Sequence, residues 1–449
     1  MSASTAVRTD DGKKGDAPIH ASAPAPKLAH LALKKLTIAA ALLIVVFFGA
    51  ALWLYGSLWH NATRTHNLGV AVVDFDGASV GSALLAAVQT LNGRPNAPTF
   101  HVLDPSSISQ DEVLDKVFDG TYWGAIVATA AATDRFEGAL ASDAAAQSYN
   151  ASQALLYAGL EVRYATAWSG FVLPSLQQVI QTTNGIFRQQ EVAPLLASET
   201  AYSGAAIDVM LNPVSSTYAN LTPFPQGTKA VLNTVGMVFP FLYQFFFILM
   251  LNGLFLALGV YKGMSLRRHV KYRLAIGTIW TILTSLTIVA WALMFSENFR
   301  STLPAKNFFA LWTVVWVFCM IILDTFDTLT TWIPPQFVPY CTIVIIMTSI
   351  TAVIMPIELS NDFFRISYAF PSHATWSIMI TCLGNGAVNT LKRDAPILMA
   401  WLIVGKLAVF FSLRRRAQQG VALAEVKNSP PKAPEQADGD NVLVGKVGV

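Results

Sequence analysis

The residues of this sequence that could most clearly perform a chemical function are charged side chains inside apolar segments. Asp324 and Asp327 follow directly on the apolar run Phe308–Leu323. Their spacing of three places both carboxylates on one face of a helix. Lys406 lies in the middle of another apolar run, Ala395–Phe411. Charges at membrane depth are costly and often mark an ion or substrate path, so these residues are candidates for transport or coupling.

Each of these charges also has a simpler interpretation. Threonines surround Asp324 and Asp327 and favour a solvated helix end over a transport path. Lys406 either snorkels, lines a cavity, or pairs with an acid such as Glu358; its central position in the run makes snorkelling difficult. Asp324, Asp327, Glu358 and Lys406 form the predicted set of transport or coupling residues.

The sequence predicts no catalytic, metal or cofactor site. Asp74 and Asp76 stand two apart at the end of a predicted strand and share one face, but no histidine lies close by. One of them capping the next helix is the favoured interpretation, with a metal site as the alternative. The seven histidines are scattered, and neither a His-Glu-x-x-His nor a Gly-x-Ser-x-Gly motif is present. These observations argue against an enzyme.

The chain also lacks a nucleotide-binding loop. The nearest approach, Gly439–Val447, has one residue too many between its glycines, and valine stands where serine or threonine would hold magnesium. A transporter built from this chain would therefore depend on a separate ATPase or an ion gradient.

Long apolar runs dominate the composition and predict a polytopic α-helical membrane protein. Hydrophobic residues make up 53% of the 449 residues and charged ones 13%, well below the roughly 25% charged residues of soluble domains. Six runs are long enough to suggest transmembrane helices. They are Leu36–Tyr55, Val235–Val260, Leu274–Phe295, Phe308–Leu323, Phe337–Ile357 and Ala395–Phe411. The first is predicted to be a retained signal anchor.

Basic residues orient these helices. Lys and Arg cluster in the N-terminal tail, in the loop that follows the second run (Lys262 to Arg273), and at Arg414–Arg416. The positive-inside rule then places both termini in the cytoplasm after six crossings. The large segment between the first two helices lies outside the cytoplasm, and it holds all three glycosylation sequons, at Asn61, Asn150 and Asn220. It carries 14 Asp and Glu against 7 Lys and Arg, so nucleic acid is not an expected partner.

The outside segment is predicted to be a small α/β domain. Leu68–Asp76, Thr99–Leu103 and Tyr122–Ala128 read as strands that alternate with helices over 78–91 and 109–118, which implies a parallel sheet. Two more helices, over 144–169 and 171–188, form a helical arm. The predicted organisation is a disordered cytoplasmic tail (1–35), a transmembrane helix (36–55), this extracytoplasmic domain (56–230), a five-helix transmembrane bundle (231–415) and a second disordered cytoplasmic tail (416–449).

Several short motifs add a family resemblance. The runs Val70–Gly77 and Asp119–Val127 resemble the start of type-2 ABC-exporter membrane domains and phage-infection proteins. Asn212-Pro213, Leu221–Phe224 and Tyr368–Pro371 resemble the fungal nitrosoguanidine-resistance protein family. The resemblance covers about residues 35–415 and implies a fungal plasma-membrane protein connected with resistance to toxic compounds and with control of phospholipid translocation.

The combined expectation is a permease-type membrane protein without its own ATPase. It would contribute to resistance either by export or by regulating phospholipid translocation; a membrane-anchored receptor or scaffold is the alternative. Its expected partners are membrane lipids, a lipid flippase or separate ATPase, and a second copy of the chain as a homodimer. The expected compartment is the plasma membrane, with the endoplasmic reticulum as the alternative.

Overall fold

The computed structural model describes residues 26–198, 202–222, 232–260, 264–294 and 303–428. The predicted tails over 1–25 and 429–449, Lys262 and the segment Gly439–Val447 lie outside the described residues. The described residues divide into two compact units, 26–49 and those from Ala50 onward.

The α/β domain follows helix α1 (Pro26–Leu58) and a 3₁₀ segment, Asn61–Asn67. Its strands are β1 (Gly69–Asp74), β2 (Thr99–Leu103), β3 (Gly124–Ala128), β4 (Leu155–Gly159) and β5 (Ser216–Asn220). Its helices are α2 (Ser79–Leu91), α3 (Gln110–Phe118), α4 (Ala132–Ala139), α5 (Asp143–Ser148), α6 (Ala165–Ala167), α7 (Leu173–Phe187), α8 (Ala193–Ala197) and α9 (Gly204–Leu211). Two π-helical turns, Trp168–Val172 and Arg188–Val192, interrupt the arm that α6, α7 and α8 form.

Local sequence signals explain the first half of this domain. Alternate residues of β1 enter two cores: Val70 and Val72 pack on the side of α2, and Ala71 and Val73 pack with α3. Burial on both faces is what a continuous apolar strand predicts. Helix α3 begins at a capping box, in which Ser109 and Glu112 exchange side-chain and backbone hydrogen bonds.

The second half of the domain differs from the prediction. The sheet has the order β2-β1-β3-β4-β5, and the β3–β4 pair is antiparallel, so the sheet is mixed rather than wholly parallel. Strand β4 lies inside the segment 144–169 that was predicted to be helical, and that prediction is wrong there. An alanine-rich sequence favours helix, but pairing with β3 and β5 on both edges outweighs this local propensity.

The helical half contains α10 (Met237–Ala257), α11 (Leu266–Met294), α12 (Ala305–Trp332), α13 (Val338–Thr351), α14 (Pro371–Leu383) and α15 (Leu391–Asn428). Helix α12 is central and packs against α10, α11, α14 and α15. Large apolar side chains such as Phe246, Ile279 and Leu407 remain exposed on the outside, as expected of surfaces that face lipid.

Within the described residues, five helices are long and apolar enough to cross a membrane, which fits a polytopic membrane protein. They are His30–Leu58, Leu232–Ala257, Leu266–Met294, Ala305–Trp332 and Leu391–Gln418. The predicted span Phe337–Ile357 corresponds to a shorter apolar helix, Pro335–Thr351. The predicted tails are also too long at the ends that adjoin the helices. Helix α1 begins at Pro26 and α15 continues to Asn428, so residues 26–35 and 416–428 are helical.

Candidate functional site

Asp327 is the centre of a buried ionic cluster that joins four helices. Its carboxylate lies 2.7 Å from both Nε and a terminal nitrogen of Arg273 on α11, which is the bidentate geometry of a strong ion pair. A terminal nitrogen of Arg416 on α15 lies 3.1 Å from the same carboxylate. Asn252 on α10 accepts hydrogen bonds from Arg273, at 2.6 Å, and from Arg416. The amide of Asn252 also donates to Thr330 at 3.1 Å.

Asp324 forms a second ion pair next to this cluster. The ammonium of Lys406 lies 3.1 and 2.9 Å from its two carboxylate oxygens. Gly405 allows this approach, because a Cβ atom there would lie 3.2 Å from the Cβ of Asp324. The side chain of Lys406 is 38% exposed, whereas that of Asp324 is 5% exposed, so the pair joins a buried anion to a partly exposed cation.

These contacts overturn the favoured interpretation of the two aspartates. Asp324 and Asp327 are each only 4% exposed, so they do not form a solvated helix end. The cavity beside them has a volume of about 20 Å³, which is about the space for one water molecule. Burial of a charge is tolerated here because each carboxylate has a cationic partner within the bundle.

Glu358 belongs to a different place in the fold. It does not pair with Lys406; its carboxylate faces Arg163 of the α/β domain at 3.7 Å. Both residues line a polar cavity of about 90 Å³ between the turn after β4, the segment after α13, helix α14 and the start of α15. The four predicted residues therefore divide into one group of three within the bundle and Glu358 at the domain junction.

The sequence interpretation missed the two cationic partners of Asp327, which are Arg273 and Arg416, and the partner of Glu358, which is Arg163. Arg273 and Arg416 are assigned above to orientation alone, yet the buried Arg273 and the largely buried Arg416 both pair with Asp327. A usable signal was present, since two basic residues near helix ends match an acidic residue near the end of α12. Arg163 carried no such signal, because its partner, Glu358, lies far away in the sequence.

The aspartates at the end of β1 organise the β1–α2 turn. Asp74 accepts hydrogen bonds from the backbone of Asp76 at 3.0 Å and of Gly77 at 2.9 Å. Asp76 accepts from the backbone of Gly81 at 3.2 Å and from the hydroxyl of Thr133 at 2.6 Å. The hydrogen bond from Gly81, in the first turn of α2, gives Asp76 the predicted role of helping to cap this helix. Within the described residues, no group of three or more His, Cys, Asp or Glu side chains could hold a metal ion.

The three sequons have different surroundings. Asn150 and Asn220 are exposed, and each accepts a hydrogen bond from the backbone of the residue two positions further on, Ser152 at 3.1 Å and Thr222 at 3.1 Å. Asn61 is half-buried in the 3₁₀ segment that begins three residues after the end of α1. Asn150 and Asn220 are therefore the more accessible of the three asparagine side chains.

An α/β domain joined to a bundle of apolar helices defines a polytopic membrane protein. The family model Protein of unknown function (DUF3533) matches residues 40–407, about four fifths of the chain, and the chain belongs to this family. It is similar to an uncharacterized endoplasmic reticulum membrane protein of Saccharomyces cerevisiae, with 22% identity over 390 residues that cover 80% of this chain and 75% of the yeast protein. No solved structure gives a significant match. The relation to nitrosoguanidine-resistance proteins and ABC exporters stays a prediction.

Proposed function

We propose that this chain is a permease-type membrane protein without its own ATPase that regulates phospholipid translocation, and that it contributes to toxic-compound resistance in this way. The proposal rests on the ion pairing of the charged residues in the bundle and on the small cavity beside them. Asp324 and Asp327 are both held in ion pairs, and the cavity beside them has a volume of about 20 Å³. Binding sites for drug-sized compounds occupy roughly 300–1,000 Å³, so the charged residues of the bundle do not line a compound-sized path, which favours regulation over export through them.

The ionic cluster also gives the bundle a mechanical property that suits a regulator. Asp327, Arg273, Arg416 and Asn252 connect α10, α11, α12 and α15 near one end of these helices. Separating the helices would leave charges unpaired at membrane depth, which is costly. A bundle locked in this way presents fixed surfaces to lipids and partner proteins, including a flippase, a separate ATPase or a second copy of the chain.

The proposed topology has six crossings, both termini in the cytoplasm and the α/β domain on the other side. Its sixth crossing is the segment Pro335–Thr351, whose 17 residues reach the lower end of the range for a spanning helix. The basic residues of the N-terminal tail and Arg414–Arg416 support this orientation. The printed name of the yeast relative supports the endoplasmic reticulum membrane as the compartment, with the plasma membrane as the alternative.

A receptor or scaffold is the second candidate, and the same packed bundle favours it. In that function the α/β domain binds a partner and the helices anchor it without any effect on lipids. Lipid asymmetry in cells separates the two candidates, because a scaffold unrelated to lipid translocation leaves that asymmetry unchanged.

The test combines purified protein with cells that lack it. Purified full-length protein in liposomes, with no ATPase present, is assayed for flip of labelled phospholipid and for efflux of an amphipathic toxic compound; protein-free liposomes are the control. The regulator is expected to show no flux in liposomes, while cells without the protein show altered phospholipid asymmetry. Flux in liposomes would instead establish an autonomous transporter, and unchanged asymmetry in the cells would overturn the regulatory function.

A further inference from the structure

The polar cavity at the junction of the α/β domain and the bundle has the features of a binding site. It has a volume of about 90 Å³, space for about three water molecules. Arg163 and Tyr164 enter it from the α/β domain, Glu358 from the segment after α13, and Thr390 and Arg393 from the start of α15. Because α15 is a candidate membrane span, its first turn lies at the depth of lipid headgroups in the proposed topology.

Two hydroxyl groups in this cavity have no hydrogen-bond partner among the described residues. Tyr164 is 5% exposed, and its hydroxyl is buried and unpaired. Burial raises the pKa of Tyr164, so the hydroxyl stays protonated and able to donate. The hydroxyl of Thr390 is likewise buried and unpaired. Leaving buried polar groups unpaired costs free energy, so both groups call for an acceptor within the cavity.

The guanidinium of Arg163 is only partly satisfied by the protein. One terminal nitrogen donates to the backbone oxygen of Gly120 at 3.2 Å, and the group lies 3.7 Å from the ring centre of Trp123. The carboxylate of Glu358 lies 3.7 Å away, beyond direct hydrogen-bond distance. Burial lowers the pKa of Arg163, because removal from water disfavours the charged guanidinium, and Glu358 offsets this effect only in part. An anionic oxygen within the cavity would compensate it.

The charges around the cavity are balanced overall. Arg163 faces Glu358, and Arg393 makes two hydrogen bonds, at 2.8 and 3.1 Å, to the fully buried carboxylate of Asp394. Two cations and two anions leave a net charge near zero, which suits a ligand that is itself zwitterionic. The side chain of Glu358 is 35% exposed, far more than that of Tyr164, so its carboxylate is accessible to a positive group outside the inner cavity.

We propose that this cavity binds the phosphate of a zwitterionic phospholipid headgroup, with Arg163, Tyr164 and Thr390 donating to the phosphate oxygens and Glu358 facing the ammonium group. The site deepens the proposed function and rests on it for a lipid as the source of the phosphate. Charge-assisted hydrogen bonds of Arg163 supply specificity for phosphate, and the small volume admits the headgroup phosphate but no acyl chain.

The test measures binding to purified full-length protein by thermal stabilisation and by native mass spectrometry. The probes are short-chain phosphatidylethanolamine, inorganic phosphate, and a diacylglycerol that lacks a headgroup. Tyr164→Phe keeps the aromatic ring and deletes a hydroxyl that has no partner in the protein, so the unliganded stability should not fall. Its affinity for phosphatidylethanolamine should fall about tenfold, the effect of one hydrogen bond to a charged group. Arg163→Gln should reduce the affinity at least as much.

Tyr149→Phe is the matched control. The hydroxyl of Tyr149 donates to the backbone of Pro213 at 2.5 Å in another part of the domain, so this variant should lose stability but keep its lipid affinity. Wild-type affinity in Tyr164→Phe, or equal stabilisation by diacylglycerol, would overturn the site. Equal stabilisation by inorganic phosphate would identify free phosphate as the ligand and overturn the lipid assignment. These results are independent of lipid asymmetry in cells, so failure of the site and failure of the proposed function are distinguishable.

Discussion

At the scale of single residues, the two acids of α12 differ in how many cationic side chains pair with them. Asp327 is held by two guanidinium groups, and the side chain of Arg273 is only 3% exposed. Asp324 has one cationic partner, Lys406, which is partly exposed. Removing one member of a buried ion pair lowers the free energy of unfolding by much more than the intact pair contributes to it, because the other charge stays buried without compensation. The two acids should therefore respond differently to substitution.

Neutralising Asp327 should destabilise the protein strongly. Asp327→Asn leaves Arg273 and Arg416 buried without an anion, and the free energy of unfolding should fall by about 3–5 kcal/mol. Unfolding by denaturant in detergent micelles measures this loss. Asp362→Asn is the control, because Asp362 pairs with Arg365 at 2.9 Å on the surface, with side chains 84% and 71% exposed. Such exposed pairs contribute about 0–1 kcal/mol, so equal losses in the two variants would contradict a structural role for the buried cluster.

The Asp324–Lys406 pair should show an asymmetric response. Lys406→Met leaves the buried carboxylate of Asp324 unpaired, whereas Asp324→Asn keeps a side-chain oxygen that can still accept a hydrogen bond from the partly exposed lysine. Lys406→Met should therefore cost about 1–3 kcal/mol, more than Asp324→Asn, and the double variant should recover part of the loss. A double-mutant cycle by the same denaturation assay measures the coupling. Additive losses would show that the two side chains do not interact in the folded protein.

At the scale of elements, two glycines allow side chains of neighbouring segments to pack directly against the backbone of α2 and β4. A Cβ atom on Gly81 of α2 would lie 1.9 Å from a carboxylate oxygen of Asp74. That carboxylate holds the turn between β1 and α2 through two backbone hydrogen bonds. Likewise, a Cβ atom on Gly159 of β4 would lie 2.0 Å from the ring of Trp168. Glycine is required at both positions by packing rather than by backbone conformation.

Gly81→Ala should therefore destabilise the α/β domain although alanine favours helix. The added methyl group must displace Asp74 and disrupt the β1–α2 turn, at a cost of about 1–3 kcal/mol. Gly185→Ala is the matched control on another helix, since a Cβ atom at Gly185 meets nothing within 4 Å. That substitution should be neutral or stabilise by about 0.4–1 kcal/mol. Thermal unfolding of both variants measures the difference, and a loss in Gly185→Ala alone would contradict this account of the packing.

Local patterns predicted much of the fold, and long-range pairing accounts for most of the remainder. Helices α2, α3 and α7 and strands β1, β2 and β3 follow from periodicity, capping and burial within short windows. Strand β4 does not, because its five residues, Leu155–Gly159, have no local feature that outweighs the alanine-rich segment before them. In the candidate site, Asp324, Asp327 and Lys406 are recognisable as charges in apolar runs, whereas their pairing depends on how α11, α12 and α15 pack.

At the scale of the whole molecule, polar contacts join the α/β domain to the helical half. Arg163 faces Glu358, and Asn67 donates to the backbone oxygen of Glu358 at 2.8 Å. Near the same region, the ring of Trp53 packs edge-on against Phe363 and Phe364. The domain and the membrane helices are thus fixed to each other around the segment that follows α13. A ligand bound in the 90 Å³ cavity would touch both parts at once, which is how a headgroup could influence the domain.

The proposed topology makes a prediction that depends on whether Pro335–Thr351 crosses the membrane. With six crossings, a C-terminal fusion and the N-terminal tail lie on the same side, and Asn150 and Asn220 lie on the opposite side. Expression in a host with N-glycosylation should then give a glycan mass shift that Asn150→Gln and Asn220→Gln together reduce. A sequon engineered into a C-terminal extension should remain unmodified. Ser152→Ala is the matched control for Asn150→Gln, because it removes the sequon but keeps the asparagine. Six crossings put five helices after the domain, so Asn150 and the C-terminus lie on opposite sides of the membrane. Glycosylation of both Asn150 and the C-terminal sequon would place them on the same side, which requires an even number of crossings after the domain. That result would show that the short helix α13 enters the bundle without traversing the membrane.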